Sequence, residues 1–226
     1  MTSRRNWISR ALLIMFSVII VDQLCKFIVL QTMYRGQSIN VIGDWFKLTF
    51  TENPGMAFGI QFGPPALITI FSLVATVLIV LYLFKVGGMY APYRVSLSMV
   101  LGGAFGNIID RVFYGKILYD EPLFLGKVVD FIHFNVWRGV VPDGVPILGG
   151  KYLALFPIWN VADMAIVLGV VGILVFQRRF HELIEAQEEL ASESAVSLTD
   201  DAPAAAKKLP GESGSEGEDT GKQEAV

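Results

Sequence analysis

The sequence has few of the residues on which many metal sites and nucleophilic active sites depend. It contains one cysteine, Cys25, and two histidines, His133 and His181, among 226 residues. One cysteine excludes an internal disulfide, and two histidines make a Cys/His zinc cage hard to assemble. There is no G-x-S-x-G turn and no H-E-x-x-H pair, so His133 would be the only base for a serine or for Cys25. We expect Cys25 and His133 to be structural, and we expect neither a metal nor a cofactor.

Charged residues are also scarce, and they are unevenly distributed. They make up 17% of the chain, against 53% hydrophobic residues, and the mean hydropathy is +0.53. Residues 1–180 hold fifteen basic and nine acidic residues, a net charge of +6, whereas the residues after Phe180 hold three basic and twelve acidic ones. This composition indicates an integral membrane protein with an acidic tail. Its expected surroundings are membrane lipids, and no nucleic-acid partner is expected.

Four hydrophobic stretches approach or exceed the roughly 20 apolar residues that cross a bilayer as a helix. They are residues 11–33, 65–84, 95–114 and 152–176. Asp22 and Lys26 interrupt the first stretch and no small-residue cleavage site follows it, so we interpret it as a retained span rather than a signal peptide. The sequence therefore predicts a mainly α membrane protein, with residues 1–180 as a four-helix transmembrane domain and residues 181–226 as a cytoplasmic, acidic, largely disordered tail. Residues 181 to about 195 could continue the last helix.

Basic residues mark one side of this arrangement. They precede the first span, lie between the second and third, and follow the fourth: Arg4, Arg5, Arg10, Lys85, Arg94, Arg178 and Arg179. By the positive-inside rule, both termini are cytoplasmic. The two long connections, 34–64 and 115–151, then face outward. Their β-like runs "WFKLTFT" and "GKVVDFIHFNVW", together with the turn residues Asn53-Pro54-Gly55, predict a small extracytoplasmic sheet or flap.

Ionisable residues inside a span are costly and are usually kept for a partner or a function. Asp22 and Lys26, four residues apart, share one helix face and predict an ion pair. A structural pair and a binding site for a substrate headgroup remain equally open. In "SMVLGGAFGNIIDR" the small residues at intervals of four predict close helix packing. Asn107 and Asp110 follow on that side, and the adjacent Arg111 favours a permanently ionised, structural Asp110 over a catalytic acid.

The predicted topology brings these groups to one depth in the membrane. The residues concerned are Asp22, Lys26, Asn107, Asp110, Asn160 and Asp163. Asp130, from the second outward connection, can reach the same level, where its apolar neighbours would partly desolvate it. Two facing carboxylates share one proton, so that one can activate water while the other polarises a carbonyl. This pattern predicts peptide hydrolysis without a metal, but the sequence does not tell which acid holds the proton.

Five ordered motifs of the chain resemble those of the lipoprotein signal peptidases, or signal peptidase II family, which are intramembrane aspartyl proteases. The motifs are "VDQLCK" (21–26), "TENPGMAFGI" (51–60), "GGAFGNIIDRV" (102–112), "VVDFIHF" (128–134) and "PIWNVADMAI" (157–166). The resemblance covers roughly residues 8–180. It implies a bacterial cytoplasmic (inner) membrane protein whose active site lies toward the outer leaflet.

The resemblance also implies roles for particular residues. Asp130 and Asp163 match the catalytic aspartates. The positions that match supporting or substrate-lining residues are Asn53, Asn107, Asp110, Arg111, Asn160, Asp22 and Lys26. The implied reaction removes the signal peptide from a diacylglyceryl-modified prolipoprotein, immediately before its lipidated cysteine. We expect the enzyme to act as a monomer. "PIW" before Asn160 and the acidic tail depart from the family pattern without touching the two acids.

Two other functions compete with an endopeptidase. Asp22, Asp110 and Asp163 could form a proton or cation relay in a transporter or channel. The polar residues could also only hold together the helices of a non-catalytic scaffold.

Overall fold

The structure is a computed structural model of the chain. It describes residues 2–57, 60–61, 64–136, 138–146, 149–150, 152–154 and 156–206. The parts of the two predicted connections and of the tail that lie at 58–59, 62–63, 137, 147–148, 151 and 207–226 fall outside the described residues. By its internal contacts the chain divides into two units, Met1–Leu183 and Ile184–Val226.

The main helices form where the apolar stretches were predicted, with different ends. They are α1 (Thr2–Thr32), α2 (Pro65–Val86), α3 (Ala91–Ile109) and α5 (Val161–Ala206). A π-helical turn, Asp110–Tyr114, and the short α4, Gly115–Tyr119, extend α3. Residues 115–119 are thus helical, although we predicted that the outward connection begins there.

Three helices of the described residues are long and apolar enough to cross a membrane: Asn6–Thr32, Ala66–Val86 and Val161–Glu193. The predicted third span, 95–114, is helical but is not among them, so the count of four spans is not confirmed. Its helix carries polar side chains that are buried in the protein, among them Arg94, Ser96, Ser98 and Asn107. Because α3 packs against both α1 and α2, these polar groups can be placed inside the protein rather than in lipid.

The prediction that the last span starts at residue 152 is wrong. Residues Tyr152–Ala154 and Ile158–Trp159 are the short strands β7 and β8, and the helix begins only at Val161. Pro157 has no backbone N–H and disfavours a helical conformation at the residue before it. The Asn160 side chain then caps the helix, since its Oδ1 accepts a hydrogen bond from the Asp163 N–H at 2.8 Å. At its other end α5 continues to Ala206, past residue 195, through a segment rich in Glu and Ala.

A small antiparallel sheet forms, as predicted, but β8, from outside the two predicted connections, joins it. The remaining strands are β1 (Ser38–Ile42), β2 (Phe46–Asn53), β3 (Met56–Ala57), β4 (Ile60–Gln61), β5 (Val128–Phe134) and β6 (Arg138–Val140). Four of them form one sheet in the order β1-β2-β5-β8, and β3-β4 and β6-β7 form two hairpin pairs. In the main sheet Thr51 of β2 lies opposite Asp130 of β5, next to a shift in register.

This sheet is fixed to the end of α1 by an apolar cluster. Val29 of α1 and Met33, just after its end, pack with Phe50 of β2 and with Val129 and Phe131 of β5. Cys25 packs against the same cluster, which confirms its predicted structural place. Because Val129 and Phe131 flank Asp130, burying them holds the aspartate at the level of the helix ends.

Candidate active site

The buried end of α1 supplies an ion pair that extends to α3. Lys26 Nζ lies 2.8 Å from Asp22 Oδ2 and 2.8 Å from Asp110 Oδ2, and all three side chains are fully buried. The predicted pair of Asp22 and Lys26 is confirmed. Its complete enclosure supports a structural pair over a site for a substrate headgroup. A buried lysine between two carboxylates is compensated, whereas loss of either partner would leave an uncompensated charge.

Asp110 has a different partner from the one predicted. It pairs with Lys26 and accepts hydrogen bonds from Gln23 Nε2 (2.9 Å) and from the Val129 N–H (3.1 Å). Arg111, next to it in the chain, forms no ion pair with it among the described residues, because consecutive residues of a helix point in different directions. Arg111 instead lies where its charge acts on Asp110, Asp130 and Asp163 together.

Sequence reasoning missed Gln23. Its amide nitrogen donates to Asp22, Asp110 and the Gly106 carbonyl, and its Oε1 accepts from the Tyr114 hydroxyl at 2.9 Å. The available signal was an amide directly after Asp22 within an apolar stretch. An uncharged polar residue there requires partners inside the protein just as a charged one does.

The start of α5 is held by side chains from other elements. The Ala162 N–H, unpaired within its own helix, donates to Asp22 Oδ1 at 2.8 Å. Gly106 makes this approach possible, because a Cβ added there would lie 2.7 Å from Asp22 Oδ2. The predicted close packing through small residues is thereby confirmed at this position.

Two asparagines connect Asp130 with Asp163. Asn160 Nδ2 donates to Asp130 Oδ1 at 2.7 Å and to Asn107 Oδ1 at 3.2 Å. Asn107 Nδ2 donates in turn to Asp163 Oδ1 at 2.7 Å. Lys26 Nζ also donates to Asn107 Oδ1, at 3.2 Å. The structure therefore brings together the groups that sequence analysis placed at one depth.

Asn53 reaches the same place from β2. Its Oδ1 accepts a hydrogen bond from the Gly55 N–H at 2.8 Å, which is the geometry of a turn. Its side chain also hydrogen-bonds to Asp130. Asn53 therefore forms the turn that the Asn53-Pro54-Gly55 sequence predicts, and it also contacts a candidate catalytic acid.

The environment of Asp130 favours its protonated form. Burial, and then the negative charge of Asp163, raise the pKa of Asp130 to about 7, against the opposing hydrogen bonds from Asn160 and Asn53 and the charge of Lys26. The side chain is 2% exposed. Near neutral pH such a pair can hold one proton, and can offer one acid and one base. Among the described residues, no three side chains of the types His, Cys, Asp or Glu are grouped as a metal site would require.

Comparison with known proteins gives the same assignment as the motifs. Residues 14–178 match the model of the family described as signal peptidase (SPase) II. The chain belongs to the signal peptidase II family. It is therefore a bacterial membrane peptidase by family, and its three long apolar helices fit a membrane protein.

Individual relatives are similar over most of their length. A lipoprotein signal peptidase of Amoebophilus asiaticus is 40% identical over 174 residues, which are 71% of this chain and 74% of the relative. One of Pelodictyon phaeoclathratiforme is 34% identical over 167 residues, 74% of this chain and 88% of the relative. A solved structure described as a bacterial membrane enzyme, determined by the in meso method at 2.3 Å resolution, has a TM-score of 0.58 and 30% identity. The match covers 76% of this chain and 89% of the chain in that structure.

Proposed function

We propose that this protein is an aspartyl endopeptidase that removes the signal peptide from diacylglyceryl-modified prolipoproteins, cutting before the lipidated cysteine. The substrate class follows from the relatives, which are lipoprotein signal peptidases. One observation carries the mechanism. Asp130 and Asp163 are joined through Asn160 and Asn107, yet neither forms an ion pair with a lysine or arginine among the described residues.

In this mechanism the two acids share one proton in the resting enzyme. The ionised carboxylate takes a proton from a water molecule, whose oxygen attacks the carbonyl carbon of the scissile peptide. The protonated carboxyl donates its hydrogen to the carbonyl oxygen as negative charge develops there. The carboxyl that accepted the proton of water then passes it to the amide nitrogen. The other carboxylate takes back the hydrogen of the former carbonyl oxygen, so that the C–N bond breaks as the C=O bond re-forms and the pair again holds one proton. Asn107 and Asn160 keep the two carboxyl groups in place.

We also propose a topology for the enzyme. Four crossings, α3 being the third, place both termini in the cytoplasm and the sheet and carboxylates toward the outer leaflet of the cytoplasmic membrane. The basic residues around the first, second and last crossings support this orientation. A lipid-modified precursor would then remain in the bilayer and present its cleavage site at the level of the two acids. A monomer contains all of the residues that this mechanism uses.

The decisive variants are Asp130→Asn and Asp163→Asn. Each asparagine preserves the size of the side chain but cannot alternate between proton donor and acceptor. We expect the rate of cleavage of a purified diacylglyceryl-prolipoprotein, followed by gel shift, to fall at least about 10²-fold in either variant. Asp120→Asn, a change at an exposed acid with 88% side-chain exposure, is the matched control and should cleave at the wild-type rate.

Helix content and the elution volume of the detergent-solubilised protein distinguish catalysis from assembly. Both variants should match wild type in these measurements. Cleavage retained by either purified variant would contradict the two-acid mechanism. Variants that are inactive only because they fail to assemble would favour the scaffold interpretation.

A further inference from the structure

At the end of the helix bundle remote from the carboxylates, the segments that α1, α2 and α3 contribute carry positive charge and no acid. The sequence has no Asp or Glu at residues 1–21 or 53–109. The start of α1, the end of α2 and the start of α3 come from these segments, and they contribute Arg10, Lys85 and Arg94. Arg94 lies about 20 Å along α3 from Asn107, at 1.5 Å per residue, so this region is separate from the peptidase site.

Arg94 is buried, and one nitrogen of its guanidinium has no hydrogen-bond partner. It is 8% exposed, and its Nη1 donates to the Gly87 carbonyl at 2.7 Å. Its Nε is enclosed without a hydrogen-bond partner. No carboxylate of the described residues forms an ion pair with it, and the nearby charge of Arg10 repels it. A guanidinium has five N–H donors, and this one has a single hydrogen-bond acceptor. Burying it costs free energy unless an anion accepts hydrogen bonds from the remaining donors and balances the charge.

An apolar cavity of about 210 Å³ lies between α1, α2 and α3 and begins at Ser98, one helical turn from Arg94. It is lined by Trp7, Ile8, Ala11, Leu12, Met15, Val80, Leu83, Phe84, Ser98, Leu101 and Phe105. Two contacts link the cavity to Arg94. Ser98 Oγ donates to the Arg94 carbonyl at 2.8 Å, and Trp7 lies directly against Gly87, the acceptor of the guanidinium.

We propose that this region binds one anionic membrane phospholipid, with its phosphate on Arg94 and Arg10 and part of an acyl chain in the cavity. The cavity belongs to the first turns of one candidate span and the last turns of another. Its surroundings are therefore lipid, and an acyl chain is the apolar group available to fill it. The phosphate diester supplies the acceptors and the negative charge that the guanidinium lacks. A zwitterionic lipid would place a second positive charge among Arg10, Lys85 and Arg94.

The test uses the full-length protein after delipidation in detergent. Phosphatidylglycerol and phosphatidylcholine with identical acyl chains are titrated, and bound lipid is counted by native mass spectrometry. We expect one phosphatidylglycerol to bind about tenfold more tightly than phosphatidylcholine. This comparison on wild type requires no variant, and equal binding of the two lipids would overturn the proposal.

Two variants then distinguish the contribution of the lipid headgroup to binding from that of the acyl chain. Arg94→Gln should bind the two lipids equally, whereas Ala11→Phe, which fills the cavity, should weaken both. Arg178→Gln removes an exposed arginine and should retain the wild-type preference. A preference that survives in Arg94→Gln would refute the assignment. So would inorganic phosphate that raises the unfolding temperature as much as phosphatidylglycerol does, because a free anion does not use the cavity.

Discussion

Four aspartates meet in this protein, and their partners differ in kind. Asp22 and Asp110 each lie 2.8 Å from the buried ammonium of Lys26, whereas Asp130 and Asp163 accept hydrogen bonds from the amides of Asn160 and Asn107. A carboxylate that contacts a buried lysine belongs to a structural ion pair. One that is bonded only to neutral amides can exchange a proton. The partners thus support the catalytic assignment of the second pair and a structural assignment of the first.

The raised pKa of Asp130 gives the proposed activity an alkaline limit. The dyad works with one shared proton, and the pKa of about 7 at Asp130 marks where that proton is lost. We expect kcat/KM to fall above pH 7, approaching tenfold per pH unit, as for a single ionisation. Folding stability changes in the same direction. Because the folded-state pKa lies above the ordinary 3.8, the folded protein binds more protons and is destabilised as pH rises from about 4 through 7.

Replacing Asn53 by alanine should move this limit upward. The Asn53 hydrogen bond lowers the pKa of Asp130, so the variant should lose the proton at a higher pH than wild type. Asn135→Ala is the control, since Asn135 bonds to Asp44 and should leave the profile unchanged. The rates are normalised within each variant across pH 5–9. A flat wild-type profile, or a downward shift in Asn53→Ala, would contradict the assignment of the titrating group.

Sequence reasoning was most successful for charged residues, because placing their side chains in an apolar stretch costs free energy. An aspartate or lysine in an apolar stretch indicates a partner or a function, and this is how Asp22, Lys26 and Asp163 were identified. Partners were harder to predict. Asp110 was expected to interact with its neighbour Arg111, but it bonds to Lys26 of another helix, because spatial neighbours depend on how helices pack.

At the level of elements, the helices were predicted better than their ends. Hydrophobic length located the main helices, but it could not separate β7 and β8 from the helix that follows them, since both are apolar. The local signal was present in Pro157 and in Asn160, three residues before Asp163, which is the spacing of a helix cap. The pairing of β2 with β5 joins two distant connections, and the alternation within each strand does not specify its partner.

Helix α3 can position Asn107 only because its glycines let neighbouring backbones approach. A Cβ at Gly103 would lie 2.3 Å from the Ala162 carbonyl oxygen, which is backbone and cannot rotate away. We expect Gly103→Ala to separate α3 from the start of α5, to destabilise the protein by about 1–3 kcal/mol, and to reduce cleavage because Asn107 and Asp163 move apart.

Thermal unfolding in detergent and the gel-shift assay together measure this effect. Gly144→Ala is the matched control, since no atom lies within 4 Å of the added Cβ, and it should behave as wild type. If Gly103→Ala were as stable and as active as Gly144→Ala, the contact between α3 and α5 would not determine the geometry of the site.

For the whole molecule, the topology depends on whether α3 crosses the bilayer. Helix α3 is less apolar than the three long helices, because it carries buried polar side chains. A helix buried inside a bundle does not need an apolar exterior, so hydropathy underestimates it. The location of Asp120, after α3, distinguishes the two possibilities. A crossing places it opposite Lys85, and a re-entrant or surface helix places it on the same side.

Single cysteines on a Cys25→Ser background can test this directly. The positions are Asp44, Lys85, Asp120 and Arg178, which are all exposed. Asp44 and Asp120 lie in the two predicted outward connections, and Lys85 and Arg178 lie just beyond the second and fourth predicted spans. With four crossings, a membrane-impermeant maleimide applied to right-side-out vesicles should label cysteines at 44 and 120. In inverted vesicles the same maleimide should label the cysteines at 85 and 178. Labelling of 120 together with 85 would reduce the crossings to three and put the two ends of the chain on opposite faces. With three crossings α5 would begin on the cytoplasmic side, so Asp110 and Asp163 would lie at the face opposite Asp22 and Lys26. The structure joins Lys26 to Asp110, and Asp22 to the start of α5, within hydrogen-bonding distance, so the four-crossing pattern is the one we expect.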